Sequence, residues 1–182
     1  LKAECDFVVV LYHGGKEHYR YPSPYLQRVC RKIADKGADL IVCQHSHCVG
    51  CMEKYNGSVI VYGQGNFLFD HSESEFWQTS LLVRAEFNEK VKVSFVPLRK
   101  CGNTVRMADG AEAKNILSGF AERSREILQP GRVAQRYREF CMANKDRYLY
   151  AMAGGEVNLG VSLADFKPNY DKDSLLMMVN YL

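Results

Sequence analysis

Two apolar runs joined by one amphipathic helix constrain this chain more than any other feature. Phe7-Val8-Val9-Val10-Leu11-Tyr12 and Leu40-Ile41-Val42-Cys43 are short, rich in β-branched residues and flanked by turn residues. That is the pattern of buried strands. Between them, Leu26, Val29, Cys30, Ile33 and Ala34 recur at the i, i+3, i+4, i+7, i+8 spacing of a core-facing helical stripe. Ser23 caps this helix, Pro24 suits its first turn and Gly37 ends it. A strand, a helix and a strand in such short succession form a right-handed parallel crossover. Both strand C-termini then lie on one sheet edge.

Each strand delivers histidine to that edge. The first leads into His13-Gly14-Gly15-Lys16-Glu17-His18, the second into Gln44-His45-Ser46-His47. His13, His45 and His47 therefore converge where α/β proteins place their sites. Imidazole suits zinc, iron and, less tightly, manganese, so the three are the candidate metal ligands. If the second strand stays extended through His-x-His, both side chains point the same way. If the chain turns there, the two rings can serve different ions.

The chain has 182 residues, enough for one domain or one domain with an appendage. A net charge of +3 gives no sign of a nucleic-acid partner, and none is expected. There is no apolar segment of membrane-spanning length and no signal-peptide pattern. The chain opens on Leu1-Lys2-Ala3-Glu4-Cys5 without an initiator methionine, which reads as the C-terminal part of a longer parent. A membrane anchor in that parent is compatible with this. Seven cysteines, several inside apolar stripes, point to a reducing, cytoplasmic setting. Cys48-x-x-Cys51 reads as a structural zinc pair, a redox dithiol or incidental core cysteines. No second Cys-x-x-Cys accompanies it.

Further strands are expected at 58–62, 79–87 and 91–98, the last two as an antiparallel hairpin. Gly63-Gln64-Gly65 after the first of these marks a tight turn or a close backbone approach. From Asp109 the pattern turns helical, with Ile116, Phe120 and Ile127 on one face. Pro130-Gly131 breaks it, and a second helix carries Val133, Tyr137, Phe140 and Cys141. Its many charges read as a solvated face. Ala153-Gly154-Gly155 marks another break, and residues 173–182 fit a short amphipathic helix.

Three blocks in order resemble a known family. Val8-Val9-Val10 leading to His13-Gly14-Gly15-Lys16-Glu17 resembles a strand ending in His-Trp-Gly-x-Glu. Gly37-Ala38-Asp39-Leu40-Ile41-Val42 leading to His45-Ser46-His47 resembles a Gly-Ala-Asp strand ending in Gly-His-His-Pro-His. Tyr62-Gly63-Gln64-Gly65-Asn66-Phe67-Leu68-Phe69-Asp70 resembles Tyr-Ser-Leu-Gly-Asn-Phe-x-Phe-Asp. Over residues 5 to 100 this is similar to the C-terminal half of the bacterial capsule-synthesis, or CapA-type poly-gamma-glutamate biosynthesis, family, grouped with the calcineurin-like metallophosphoesterases. Here Gly14, Cys43, Gln44 and Ser46 stand where that pattern has tryptophan, glycine, histidine and proline. The aspartate and asparagine motifs of the family's N-terminal half are absent.

The resemblance implies part of an αββα metallophosphoesterase-like sandwich over residues 1–105, with a helical C-terminal appendage over 106–182. It implies two divalent ions (manganese, iron or zinc) in the intact parent. His13 and His45 would hold one and His47 the other. Glu17 would stand beside them as a catalytic group, and Asn66 would hold its turn. His18 is then the candidate general acid, with a solvated loop histidine as the competing reading. Without a bridging carboxylate, weak or no metal occupancy is expected for this chain alone, and His71 in its polar loop is expected to be dispensable. The function implied is phosphoester hydrolysis in capsule or poly-gamma-glutamate synthesis, on a phosphoester or polyanionic polymer substrate. The alternative is a non-catalytic accessory or scaffold protein of polymer assembly. Half a sandwich would also bare an apolar sheet face, so a homo-oligomer or a tail covering that face is expected.

Overall fold

The computed structural model describes residues 2–69 and 74–152. The predicted crossover is present. β1 (Val9–His13) and β2 (Leu40–Gln44) are parallel neighbours, with Val9 opposite Leu40 and His13 opposite Gln44. α1 (Pro24–Asp35) joins them, and its Ser23 cap accepts a hydrogen bond from Leu26 N at 3.1 Å. β2 pairs in parallel with β4 (Ser58–Val61), which pairs antiparallel with β3 (Met52–Tyr55). The order β1-β2-β4-β3 leaves β1 at one edge.

Alternation along the strands gives the sheet two buried faces. Ile41, Cys43, Ile60 and Tyr62 pack against Leu26, Cys30 and Ala34 of α1. Leu40, Val42, Val59 and Val61 face the opposite way, onto Val83, Ala85, Val93 and Phe95 of a second sheet. That sheet is antiparallel, in the order β5 (Thr79–Phe87), β6 (Val91–Cys101), β7 (Thr104–Met107). The fold is thus mixed α/β, with α1, the first sheet and the second sheet packed as successive layers. β6 runs past the expected end at 98, through Pro97, whose carbonyl accepts from Ala108 N at 2.8 Å.

The bare apolar sheet face expected from sequence does not occur among the described residues. On the second sheet the outward positions include Arg84, Glu86, Lys92 and Ser94, because the period-2 alternation turns Val83, Ala85, Val93 and Phe95 inward. Apolar exposure on the first sheet falls instead on its edge strand, at Val9 and Leu11.

α2 (Glu75–Gln78) is a single turn leading into β5. α3 (Gly110–Glu126) is tied to both sheets. Its Phe120 packs with Val49 and Leu81 and lies 4.6 Å from Phe95 between ring centroids. Its Arg123 donates to the carbonyls of Gly50 (2.8 Å) and Val49 (3.1 Å), and its Ser124 Oγ accepts from Met52 N at 2.9 Å. Residues through Ala134 cluster as one compact unit and Gln135 onward as another. The expected boundary at 105/106 therefore falls inside the first unit. α4 (Arg132–Met152) follows the break at Pro130-Gly131. No helix among the described residues is long and apolar enough to cross a membrane. The expected break at Ala153-Gly154-Gly155 and the expected helix at 173–182 lie outside the described residues.

Candidate metal centre

β1 ends on His13, and β2 ends one residue before His45. The parallel register sets these ends side by side, so His13 Nε2 lies 3.2 Å from His45 Nδ1. Two nitrogens bound to one ion at about 2.0–2.1 Å sit roughly 2.9–3.4 Å apart at octahedral and tetrahedral angles. The contact is a hydrogen bond between the two rings, at a spacing that two ligands of one ion would also have.

The chain turns at His-x-His rather than staying extended. His45 has φ +89° and His47 φ +55°, and His18 in the facing loop has φ +56°. Each lies in the left-handed region that L residues avoid. Such a conformation costs about 1–3 kcal/mol and persists where surrounding structure enforces it. The enforcing bonds are visible. Gly14 N donates to Gln44 O at 3.2 Å, and His18 N donates to Ser46 O at 2.8 Å, stitching the two histidine loops together. As a result one carboxylate oxygen of Glu17 and one ring nitrogen each of His45 and His47 lie within 4.8 Å of one another. Glu17, expected beside the ligands, stands among the donors.

The loop after β4 supplies the support for His47. Asn66 is buried, and its Nδ2 donates to His47 O at 3.2 Å. That bond fixes Oδ1 as the acceptor in the 2.7 Å contact with His47 Nδ1. His47 therefore carries its proton on Nδ1, which leaves the Nε2 lone pair for a cation. Asn66 thus orients a ring as well as holding its turn. The glycines before it allow the approach. A Cβ on Gly63 would stand 2.7 Å from Ser46 Oγ and 2.9 Å from Cys48 O, and one on Gly65 would stand 2.6 Å from Thr79 O. The loop is pressed between the histidine segment and β5.

Aromatic rings wall the site. Trp77 stacks on His47 with centroids 4.7 Å apart, and Phe69 lies 5.2 Å from the same ring. His18 is half-buried, stacked on Phe76 at 5.9 Å and edge-on to Trp77 at 5.4 Å. It is an enclosed side chain, 6.4 Å from His47 between centroids, and not a solvated loop histidine. A cleft of about 400 Å³ opens beside His13, His45, His47 and Asn66. Sequence reasoning missed Trp77 and Phe76. Their signal was a lone tryptophan preceding a strand, with nothing in its spacing to tie it to the histidines. His71 lies outside the described residues.

Cys48 and Cys51 are fully buried free thiols, and burial pushes Cys48 up to about 11 and raises Cys51 further. Thiols so held are protonated and unreactive at neutral pH. Among the described residues no cysteine joins a cluster able to hold a metal. Among the described residues the cluster able to hold an ion is therefore two imidazoles and one carboxylate, Glu17, His45 and His47, while His13 touches His45 but stands outside that cluster. The cluster suits a single divalent ion, since one negative charge does little to offset two such ions.

Residues 1–71 match the family model described as bacterial capsule synthesis protein PGA_cap. Among curated proteins, the chain is 44% identical over 69 residues to the "PGA biosynthesis protein CapA" of Bacillus subtilis (strain 168), covering 38% of this chain and 18% of that protein. It is 39% identical over 69 residues to the "Capsule biosynthesis protein CapA" of Bacillus anthracis, covering 38% of this chain and 17% of that protein. The match thus spans less than a fifth of either relative. The resemblance to the CapA-type capsule-synthesis family holds over this segment, which contains β1 to β4 and every candidate ligand.

Proposed function

We propose that the cleft at the β1–β2 edge binds a divalent metal ion through His13, Glu17, His45 and His47, and serves phosphoester hydrolysis in a capsule-synthesis-type protein. The observation that carries this reading is the convergence of Glu17, His45 and His47 within 4.8 Å on two left-handed histidine backbones. Strain of that kind is maintained at functional sites more often than elsewhere. A bound ion supplies Lewis acidity toward a phosphoryl oxygen and favours ionisation of water near neutral pH. The chain's own residues do the rest. Asn66 holds His47 in the tautomer that leaves Nε2 free. The Trp77 and Phe69 rings exclude water from one side of His47. The reading gives His18, enclosed against the same tryptophan, the role of proton donor to a leaving oxygen. Manganese, iron and zinc all suit this donor set. The substrate class proposed is a phosphoester or polyanionic polymer.

Calorimetric titration with manganese and zinc tests the ligand set. His45→Ala is expected to weaken binding at least tenfold, and Asn66→Ala to weaken it by about 10-fold through loss of ring orientation. His71→Ala serves as the comparison and is expected to bind as the parent does. Equal affinity in all three variants would remove the histidine cluster as the ligand set. Metal binding without phosphodiesterase turnover would favour the accessory or scaffold reading, with which the short stretch shared with the curated relatives is equally compatible.

A further inference from the structure

A second cleft of about 390 Å³ lies between α2, β6 and α3, and three of its lining side chains are arginines. Arg20 donates to Glu75 at 2.9 Å. Arg99 meets Glu112 at 3.4 Å, but Glu112 is shared with Arg106, which binds its other oxygen at 2.9 Å. Arg123 has no carboxylate partner among the described residues. Its Nε and Nη2 are spent on the carbonyls of Gly50 and Val49, and it is largely buried. Burial and the Arg20 charge together push its guanidinium below the usual value.

Three features of this cleft carry a cost that an anion would offset. The Arg123 guanidinium is bonded only to neutral carbonyls, and the Glu75 carboxylate that feels its charge is already bonded to Arg20. Arg20 Nε is buried with no hydrogen-bond partner, whereas buried donors are ordinarily paired. Gly119 lines the cleft from within α3, where glycine costs about 1 kcal/mol relative to alanine. A Cβ there would stand 3.1 Å from Arg123 Nη1, so the glycine keeps that nitrogen clear. Three arginines against the two carboxylates Glu75 and Glu112 leave one positive charge in excess, and it coincides with the unused Arg20 donor and the space kept clear.

We propose that this cleft is an anion-binding site that takes one compact oxyanion, a phosphoryl or carboxylate group, between Arg20, Arg99 and Arg123. Guanidinium forks match the paired oxygens of both groups. The cleft volume is within the range of small-ligand sites, about 300–1,000 Å³. The site stands independently of any metal at the histidine cluster.

The test is calorimetric titration of the full chain, with chelator present and at constant ionic strength, using inorganic phosphate in one arm and glutarate in the other. Saturable binding in the phosphate arm alone assigns a phosphoryl group, and in the glutarate arm alone a carboxylate. Binding in both supports a general oxyanion site. Arg99→Gln, on a side chain 36% exposed, is expected to weaken binding about tenfold while the urea unfolding midpoint stays that of the parent. Glu112→Gln removes a competing carboxylate and is expected to strengthen it severalfold. A purely structural ion-pair network has no means of producing that gain. Binding is expected to persist in His45→Ala. The proposal is overturned if neither anion binds, if Arg99→Gln and Glu112→Gln leave affinity unchanged, or if His45→Ala abolishes binding.

Discussion

At the residue scale, the chain commits several polar groups to positions that only a partner makes tolerable. Glu53 on β3 is buried, with a side chain 1% exposed, and it takes both arms of the Arg31 fork, at 3.0 Å and 2.7 Å. The Tyr62 hydroxyl also donates to it, and burial and the Glu53 charge raise that phenol well above its usual range. Removing the carboxylate leaves a buried hydroxyl without its acceptor and a guanidinium without its ion. Glu53→Ala is expected to cost about 3 kcal/mol, with Glu53→Gln costing less because it keeps an acceptor for Tyr62. Urea unfolding of both variants measures this. Equal, near-zero losses would mean the triad contributes nothing net. The left-handed histidines follow the same logic, since their conformation is held by bonds between loops that a local reading of His-x-His does not contain.

At the element scale, β3 shows where pattern reading stops. Met52-Glu53-Lys54-Tyr55 has no apolar alternation, and the buried position is the glutamate. The signal that could have found it is Asn56-Gly57, the strongest short-range hairpin marker. Both residues have positive φ, +48° and +86°, and Tyr55 pairs with Ser58 across them. Nothing lies within 4 Å of where a Cβ on Gly57 would stand. The cost of a side chain there is therefore conformational and not steric. Gly57→Val is expected to lower stability by about 1–2 kcal/mol, with an unchanged denaturant slope. A loss near zero would show that the turn relaxes into another type. β7 escaped because it is four residues long, too short for its Thr-Val-Arg-Met alternation to stand out, so that its pairing with β6 identifies it.

At the scale of the whole molecule, Asp39 joins the crossover to the segment before β1. Its carboxylate accepts from Lys2 Nζ at 2.7 Å and from Val8 N at 2.8 Å. Burial acts to raise this carboxyl, but the bonds from Lys2 and Val8 outweigh it and hold it below its usual 3.8. A carboxyl whose folded value is depressed adds stability above its unfolded value, and that stability is lost as pH falls through the folded one. Asp39→Asn is therefore expected to be less stable than the parent at pH 7, with the difference closing as pH falls below about 4. Thermal unfolding from pH 7 to pH 2 tests the sign. A gap that persists at the acid end would assign the loss to hydrogen-bond geometry instead of charge.

The crossover, its helix cap, the hairpin of 79–87 with 91–98 and the delivery of histidines to one edge were all legible in the sequence. Each depends on periodicity and neighbouring residues, which are local properties. What needed tertiary structure was everything set by contacts distant along the chain. Asn66 orients His47 across 19 residues, Arg123 holds the carbonyls of Val49 and Gly50 from α3, and Trp77 comes to lie on His47. Glu17 also joins the donor set only because the two loops are bonded to each other. The residue types for a metal site are written locally, while the direction of each lone pair is decided by partners that folding brings from elsewhere.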